Sequence, residues 1–477
     1  MWSRTDAHFI AAPIDRVWQV VGDPTKLPRW HHYFHSVIDH DPGAESGTGR
    51  YRPTGFGKAV HERTAGPMEI LRRGNRLIRL SQPQPGGTHV MEWRLDEVAA
   101  GADTPPGTVL TQHTSVFGVG SVGFTEVSAR PFSHDFADNI ARLALLVEPD
   151  RPADPLKVVI AGGTGFLGRR LAADLTTRGH DVVILTRNPD QSLPWRQARW
   201  DGRTVGAWAS ELDGDNVAVV NLAGKLVDCP PTDDNIAELV TSRVDPTRAL
   251  VQASANRPVR RWLQASTTAG YADAGDERID ESTPLPTGKD ALPQMTGVVV
   301  PWENAATGAD GGAPANTEAM TIIRTSIVLA QDCPAFDRLT MISRFGAGGT
   351  VGPGDQWFSW IHLSDWLRIA RAALGLRSPR LGAPATSPTI VNAAAPKPVR
   401  NSELMALLRR HYGPKVPLLG RLGIPTPAPL LKIGAVALRT DPALALTGRH
   451  CTSALLEQLD FTFSHPRLPE ALQEIVN

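Results

Sequence analysis

Residues 265–276 read ASTTAGYADAGD, placing three hydroxyls (Ser266, Thr267, Thr268) just ahead of Tyr271, after an apolar, strand-like lead-in at 261–264. A Ser/Thr and Tyr pair of this kind can hold and protonate a substrate carbonyl beside a nucleotide cofactor. A second constellation bears on whether such a cofactor is bound. Gly162, Gly165 and Gly168 in GGTGFLG follow a short apolar run and open a helix-patterned stretch from Arg169 to Arg178. Glycine is needed at the tight turn and where backbone approaches a pyrophosphate, while free N–H groups and the helix dipole hold the anion. Strand before, helix after and a second strand following distinguish this from an ordinary glycine-rich turn. That second strand, DVVILTRN, ends in Thr186 and Arg187, where a chain selecting NAD carries an acidic residue for the ribose hydroxyls. An arginine there can bond the 2'-phosphate of NADP bidentately, so NADP is favoured over NAD; a solvated surface arginine is the alternative.

These residues must be positioned by a scaffold, and the patterning divides the chain into three parts. The first, residues 1–150, opens with a strand near Ala7 to Ile10, then a helix starting at Pro13 with Val17, Trp18, Val20 and Val21 as its buried stripe, and a short helix after Pro24. From Gly49 to Val127 apolar residues alternate (Leu77, Ile78, Leu80; Val90, Met91, Trp93, Leu95), which predicts a meander of antiparallel strands. Phe132, Phe136, Ile140, Leu143 and Leu146 or Val147 recur at helical spacing. The prolines of EPDRPADP (148–155) mark a linker.

From residue 156 to 400, strand runs (Val182 to Leu185, Val217 to Leu222, Trp262 to Ala265, Thr321 to Arg324) alternate with helical stretches, the signature of an α/β fold with a Rossmann-type, doubly wound parallel sheet. Thr307 to Ala319 is small, polar and glycine-rich and reads as a flexible surface insertion. Residues 401–477, including RNSELMALLRRHYGPKVPLLG and IPTPAPLLKIGAVAL, read as a small, mainly helical cap.

Bulk properties narrow the partners. The 477 residues fit about three domains at roughly 150 residues each. A formal net charge of +0 removes the electrostatic case for nucleic acid or an anionic membrane surface, leaving small molecules or proteins, with a small-molecule substrate as the expected partner. Cys229, Cys333 and Cys451 are widely spaced with no CxxC, so neither a disulfide scaffold nor a structural zinc site is indicated and a cytoplasmic location is expected. No apolar run approaches the ~20 residues a membrane span needs. In RWHHYFHSVIDHD, His31, His32, His35 and His40 lack convergent carboxylates or cysteines, so a partly exposed loop and no metal are expected. Trp18, Trp30 and Trp93 are expected to line the first domain's core or its cavity.

The pieces GGTGFLGRRL, LTRN, VVNLAG, SRVDPTR, IIRTSIVL and GPGDQWFSWIHLSD, with the tail after VRNSEL, resemble the atypical extended short-chain dehydrogenase/reductases of the NAD-dependent epimerase/dehydratase-like, or nucleoside-diphosphate-sugar epimerase-like, family. They cover most of residues 156–477. The first segment is similar to a helix-grip domain of the START or polyketide-cyclase type, through IAAPIDRVWQVVGDPTKLPRWH and its long last helix. The resemblance implies an α+β helix-grip domain over 1–150, an NADP-binding Rossmann-type domain over 156–400, and the family's own C-terminal domain over 401–477. It also implies that Gly162, Thr164, Gly165, Phe166 and Leu167 wrap the pyrophosphate, that Thr186 and Arg187 meet the adenosine phosphate, and that Leu222 and Ala223 lie along the cofactor. Glu238, Arg243 and Ile327 are similarly placed to family cofactor contacts. Where the family usually has an acidic residue after NLAG, this chain has Lys225, which reverses a charge beside the site.

Typical short-chain reductases and epimerases use a Tyr whose phenol, of pKa ~10, is made more acidic by a Lys four residues later. Here Tyr33, Tyr51, Tyr271 and Tyr412 are followed at that spacing by Val37, Gly55, Gly275 and Val416, so the chain has no Tyr-x-x-x-Lys pair. The helix expected to carry it reads MTGVVVPWENAA, with Met295 and Val299 at the two positions. The family similarly lacks the pair and often has a Trp-Glu, as in Trp302 and Glu303. Pro301 suggests that this helix starts late or kinks. The surviving catalytic candidates are Tyr271 and Thr267 (or Ser266), with Glu303 as an acid/base; structural roles are the alternative. His362 and Asp365 of WIHLSD match a family segment near the substrate side, and a histidine bonded to a neighbouring loop is the other reading.

The expectation is a cytoplasmic NADP(H)-binding oxidoreductase or epimerase-like protein whose first domain presents or senses a hydrophobic ligand. A non-catalytic NADP(H)-binding regulatory protein and a hydrophobic-ligand carrier are the rivals.

Overall fold

A computed structural model describes residues 2–476 except 55–65, 120–122, 124, 228, 308–310, 345–348, 383–386 and 414–445. Its first unit is an antiparallel sheet of seven strands: β1 (Trp2–Ile10), β2 (Phe34–Asp39), β3 (Ser46–Pro53), β4 (Met68–Arg73), β5 (Leu77–Gln84), β6 (Gly87–Val98) and β7 (Gly107–Gly118). Their order is β1-β7-β6-β5-β4-β3-β2, the expected meander, with β1 starting earlier than the apolar pattern suggested. Along β6, His89, Met91, Trp93 and Leu95 point inward in alternation, and Ile78 of β5 pairs with Trp93. The Phe136–Val147 helix lays Phe136, Ile140, Leu143 and Val147 into the same core. The start of the histidine run departs from the expected partly exposed loop. His31 is fully buried, stacked on Phe132 at 4.6 Å and bonded through Nε2 to Gln112 Oε1 at 3.1 Å, because the preceding Leu27–Trp30 helix aims it into the aromatic core. Burial pushes its pKa well below the usual value. His35 and His40 are exposed.

The second sheet is parallel and Rossmann-type: β8 (Lys157–Ala161), β9 (Asp181–Thr186), β10 (Arg196–Arg199), β11 (Val217–Asn221), β12 (Arg261–Thr267), β13 (Met320–Thr325) and β17 (Thr389–Ala393), in the order β10-β9-β8-β11-β12-β13-β17. The short strands β14 (Ile327–Leu329) and β16 (Trp360–His362) pair with each other, as do β15 (Trp357–Phe358) and β18 (Val399–Arg400). The sequences VVIA and VAVVN carry almost only β-branched and small apolar residues because both sheet faces are covered by helices.

Two local expectations are corrected. The Thr296–Thr307 helix starts well before Pro301 and runs through it. The stretch read as a flexible insertion docks at its far end: Thr317 and Ala319 are buried, and the Val259 N–H donates to the Asn316 carbonyl at 2.9 Å.

At the C-terminus, the helices Asn401–Tyr412, Ala454–Gln458 and Leu468–Val476 bury Leu404, Leu408, Leu456, Leu472 and Ile475 in the same core as β8 and β11, so this region shares the sheet's core. The helical readings of 414–438 lie outside the described residues. Ala137 and Ala141 of the first unit enter that core too, and Arg4 spans the seam to Asp332 at 2.8 Å. Among the described residues no helix is long and apolar enough to cross a membrane.

Candidate functional site

The strand order reverses direction at β8, which has β9 on one side and β11 on the other, so the chain ends leaving β8 and β11 diverge and open a crevice. Gly162 follows β8 with φ +76°, and a Cβ there would sit 2.6 Å from the Leu222 carbonyl group and 2.9 Å from Ala223 N. A Cβ on Gly168 would lie 2.4 Å from the Gly162 oxygen. Glycine is therefore required at Gly162 by backbone conformation and by space, and at Gly168 by space. The Phe166–Thr176 helix begins at Gly165 with no side-chain cap, leaving its first N–H groups directed at the crevice, flanked by exposed Thr164 and by half-buried Phe166 and Leu167. The facing turn is fixed by Asn221, whose buried amide donates to Thr247 Oγ1 (2.8 Å) and Gln264 Oε1 (3.0 Å) and accepts from Ala223 N (3.2 Å). Leu222 and Ala223 thus meet the glycine loop across the switch point.

At the end of β9, Thr186 is buried, its hydroxyl accepting from Asn188 N at 3.3 Å. Arg187 beside it is exposed and makes no hydrogen bond or ion pair among the described residues, so its guanidinium is available to a ligand.

Three further residues lie beyond Ala223. Arg243 is buried, with its guanidinium donating to the carbonyls of Leu239 (3.0 Å) and Lys225 (2.8 Å) and stacking over Trp302 at 5.0 Å. No carboxylate pairs with it among the described residues, and burial lowers its pKa to about 10. Glu238 turns to Lys225, with which it forms an ion pair, so this lysine has its own counter-charge. Ile327 is half-buried in β14, paired with Trp360.

The catalytic candidates are held in a closed network. Ser266 donates to Glu303 Oε1 at 2.5 Å, and Arg324 donates to Glu303 Oε1 and Oε2 at 2.9 and 2.7 Å. Arg324 also donates to the Tyr271 hydroxyl (2.8 Å), which in turn donates to Asn392 Oδ1 at 3.1 Å. Tyr271 is only 1% exposed, and burial raises its pKa, with Arg324 opposing. A proton donor to an exogenous carbonyl needs an accessible, acidified phenol; this one is enclosed and occupied. Thr267 is the more open candidate, half-buried, its hydroxyl donating to the Thr325 carbonyl and accepting from Ala269 N, both at 3.2 Å.

Arg324 and Asn392 were not singled out from the sequence. Each is an isolated polar residue in a strand pattern, IIRTS and IVNAA, and a buried polar residue inside an apolar strand is the signal that was there to read. His362 caps the Leu363–Ala373 helix, its Nδ1 accepting from Ser364 N at 3.3 Å, and fully buried Asp365 accepts from the Ser464 and His465 N–H groups at 2.7 and 2.9 Å. Asp365 therefore bonds to a neighbouring turn, while His362 bonds locally to the helix that it caps.

The NAD dependent epimerase/dehydratase family matches residues 158–290, polyketide cyclase/dehydrase and lipid transport proteins match 1–148, and a domain of unknown function (DUF1731) matches 426–475. An epimerase family protein of Mycobacterium leprae is 30% identical over 318 residues, covering 66% of this chain and 94% of its own. The chain belongs to the epimerase family.

The human epimerase family protein SDR39U1 is 28% identical over 326 residues, covering 67% of this chain and 100% of its own. Its crystal structure with NADPH superimposes with a TM-score of 0.54 at 25% identity, covering 67% of this epimerase family chain and 99% of the human one. A nucleoside-diphosphate sugar epimerase from Corynebacterium glutamicum shares the fold over 99% of this chain and 90% of its own, with a TM-score of 0.57 and 23% identity. Within this family member the matched family segment ends at residue 290, so Tyr271 lies inside it and its partners Arg324 and Asn392 lie beyond.

Proposed function

We propose that this epimerase family protein binds NADP(H) in the crevice between the β8 and β11 chain ends and acts on a small molecule as an oxidoreductase or epimerase-like enzyme. The observation that carries the reading is the Gly162 loop packed against Leu222 and Ala223 beside an uncapped helix start, with an unengaged Arg187 at the neighbouring strand end. The N–H groups of Phe166 and Leu167 hold the pyrophosphate, and the Arg187 guanidinium takes the 2'-phosphate. Nicotinamide, when bound, supplies or accepts hydride. The related human protein was crystallised with NADPH, which agrees with the arginine argument. Thr267 is the hydroxyl offered to substrate, while Tyr271 and Glu303 position the surrounding strands.

A thermal-shift comparison of NADPH, NADH and UDP-sugars tests this directly. A ligand at 100 times its Kd stabilises by about 2.7 kcal/mol, and NADPH should do so at lower concentration than NADH.

A non-catalytic, NADP(H)-binding regulatory role is the second reading, favoured by the occupied state of Tyr271 and both Glu303 oxygens. Failure of any carbonyl compound to drive NADPH oxidation would select it. For the first domain we propose a hydrophobic ligand with a polar head, because Trp30 Nε1, Gln112 Nε2 and Asn139 Nδ2 are buried donors with no protein acceptor among the described residues.

A further inference from the structure

We propose that His362, His465 and Glu474 bind one divalent cation of borderline softness, Zn²⁺ by ligand chemistry, and thereby staple the C-terminal helix to the core. Each comes from a different element: the end of β16, the turn before the last helix, and the Leu468–Val476 helix itself. Their ligand atoms all lie within 4.8 Å of one another.

The orientation of the two rings is the stronger argument. Both Nδ1 atoms turn to one hydroxyl, Ser364 Oγ, at 2.7 Å from His362 and 3.3 Å from His465. Both rings consequently present Nε2 towards Glu474. His362 Nε2 is 4.0 Å from Oε1, His465 Nε2 is hydrogen-bonded to Oε2, and the ring centroids are 4.0 Å apart. An imidazole that binds metal through one nitrogen characteristically donates the other N–H to a fixed oxygen, and the Ser364 hydroxyl has lone pairs for both. On metal binding His362 Nδ1 becomes that donor and gives up the 3.3 Å contact from Ser364 N.

The turn carrying His465 is held independently of the cluster. Asp365, with 0% exposure, accepts from the Ser464 and His465 backbone N–H groups and lies 3.9 Å from His465 Nδ1. The site is therefore largely assembled before an ion arrives. Two imidazoles and one carboxylate with a fourth position for water form a zinc set, and imidazole disfavours Mg²⁺ and Ca²⁺. Zinc–ligand bonds of about 2.0–2.1 Å put ligand atoms about 3.3 Å apart, so closure asks for a small rotation of the exposed Glu474 side chain. The sequence hid this site because its histidines stand on either side of a long intervening stretch and its carboxylate follows a helix later.

Untagged full-length chain, stripped with chelator and titrated with ZnCl₂ by calorimetry, tests the proposal. One equivalent should bind and raise the Tm, and the Co²⁺ form should show the intense visible bands of a tetrahedral site. Glu474→Gln, at an exposed position, should weaken binding at least tenfold, and His465→Gln should abolish it. His40→Gln, exposed and outside the cluster, should bind as wild type. Absence of stoichiometric binding, or binding unchanged in either cluster variant, would overturn the proposal.

Discussion

Arg324 and Glu303 form a bidentate ion pair, at 2.9 and 2.7 Å, with both side chains at most 10% exposed. It joins β13 to the Thr296–Thr307 helix under the residues that would face substrate. Breaking such a buried pair from one side costs about 3–5 kcal/mol, because the remaining charge is left without a partner. Arg324→Met and Glu303→Gln should each lower unfolding stability on that scale, read by chemical denaturation. The double variant should recover part of the loss, whereas a pair that matters little would leave all three near wild type.

Tyr271→Phe removes a hydroxyl that Arg324 and Asn392 both use. The expected outcome is a stability loss of about 1–3 kcal/mol from the unsatisfied buried groups, with NADPH affinity unchanged within about twofold. Loss of a measurable turnover with cofactor affinity intact would instead give Tyr271 a chemical role.

Gly162→Ala must place a Cβ at φ +76° against the Leu222 carbonyl. Backbone strain of about 1–3 kcal/mol is expected, together with an NADPH affinity reduced at least tenfold as the loop moves off the β11 turn. Calorimetric titration and thermal unfolding of the same preparation separate the two effects.

His180 gives a pH dependence with a defined sign. It is buried, its Nδ1 accepts from Leu156 N at 3.2 Å, and burial lowers its pKa to about 4. The unfolded chain, near 6.5, takes up the proton first as pH falls, so this contribution is intact above about pH 6.5 and declines between 6.5 and 4. Its full loss is about 3 kcal/mol. His180→Asn keeps an acceptor for Leu156 N and should flatten the stability profile in that window, measured by urea unfolding across pH.

The loop proposed to hold the cofactor was readable as a structural unit because its determinants are local. Gly162, Gly165 and Gly168 act within one strand–turn–helix unit, and Arg187 is placed by where β9 ends. How Tyr271, Glu303, Arg324 and Asn392 meet was not, because they stand on different elements: the parallel register sets Ser266, Arg324 and Asn392 side by side, and Glu303 arrives from the Thr296–Thr307 helix. Burial of His31 escaped for a related reason: a local pattern identifies apolar positions and does not say what packs over the polar rings between them.

Arg187 reading a 2'-phosphate at the Gly162 crevice is the centre of the proposed function. Calorimetric Kd values for NADPH and NADH on the full chain and on Arg187→Ala test it most directly. The wild type should prefer NADPH, and the variant should lose about 10- to 100-fold in NADPH affinity, the worth of a charge-assisted bond of about 1.5–3 kcal/mol, with NADH affinity unchanged. Tighter binding of NADH by the wild type, or an equal loss for both cofactors in the variant, would contradict it.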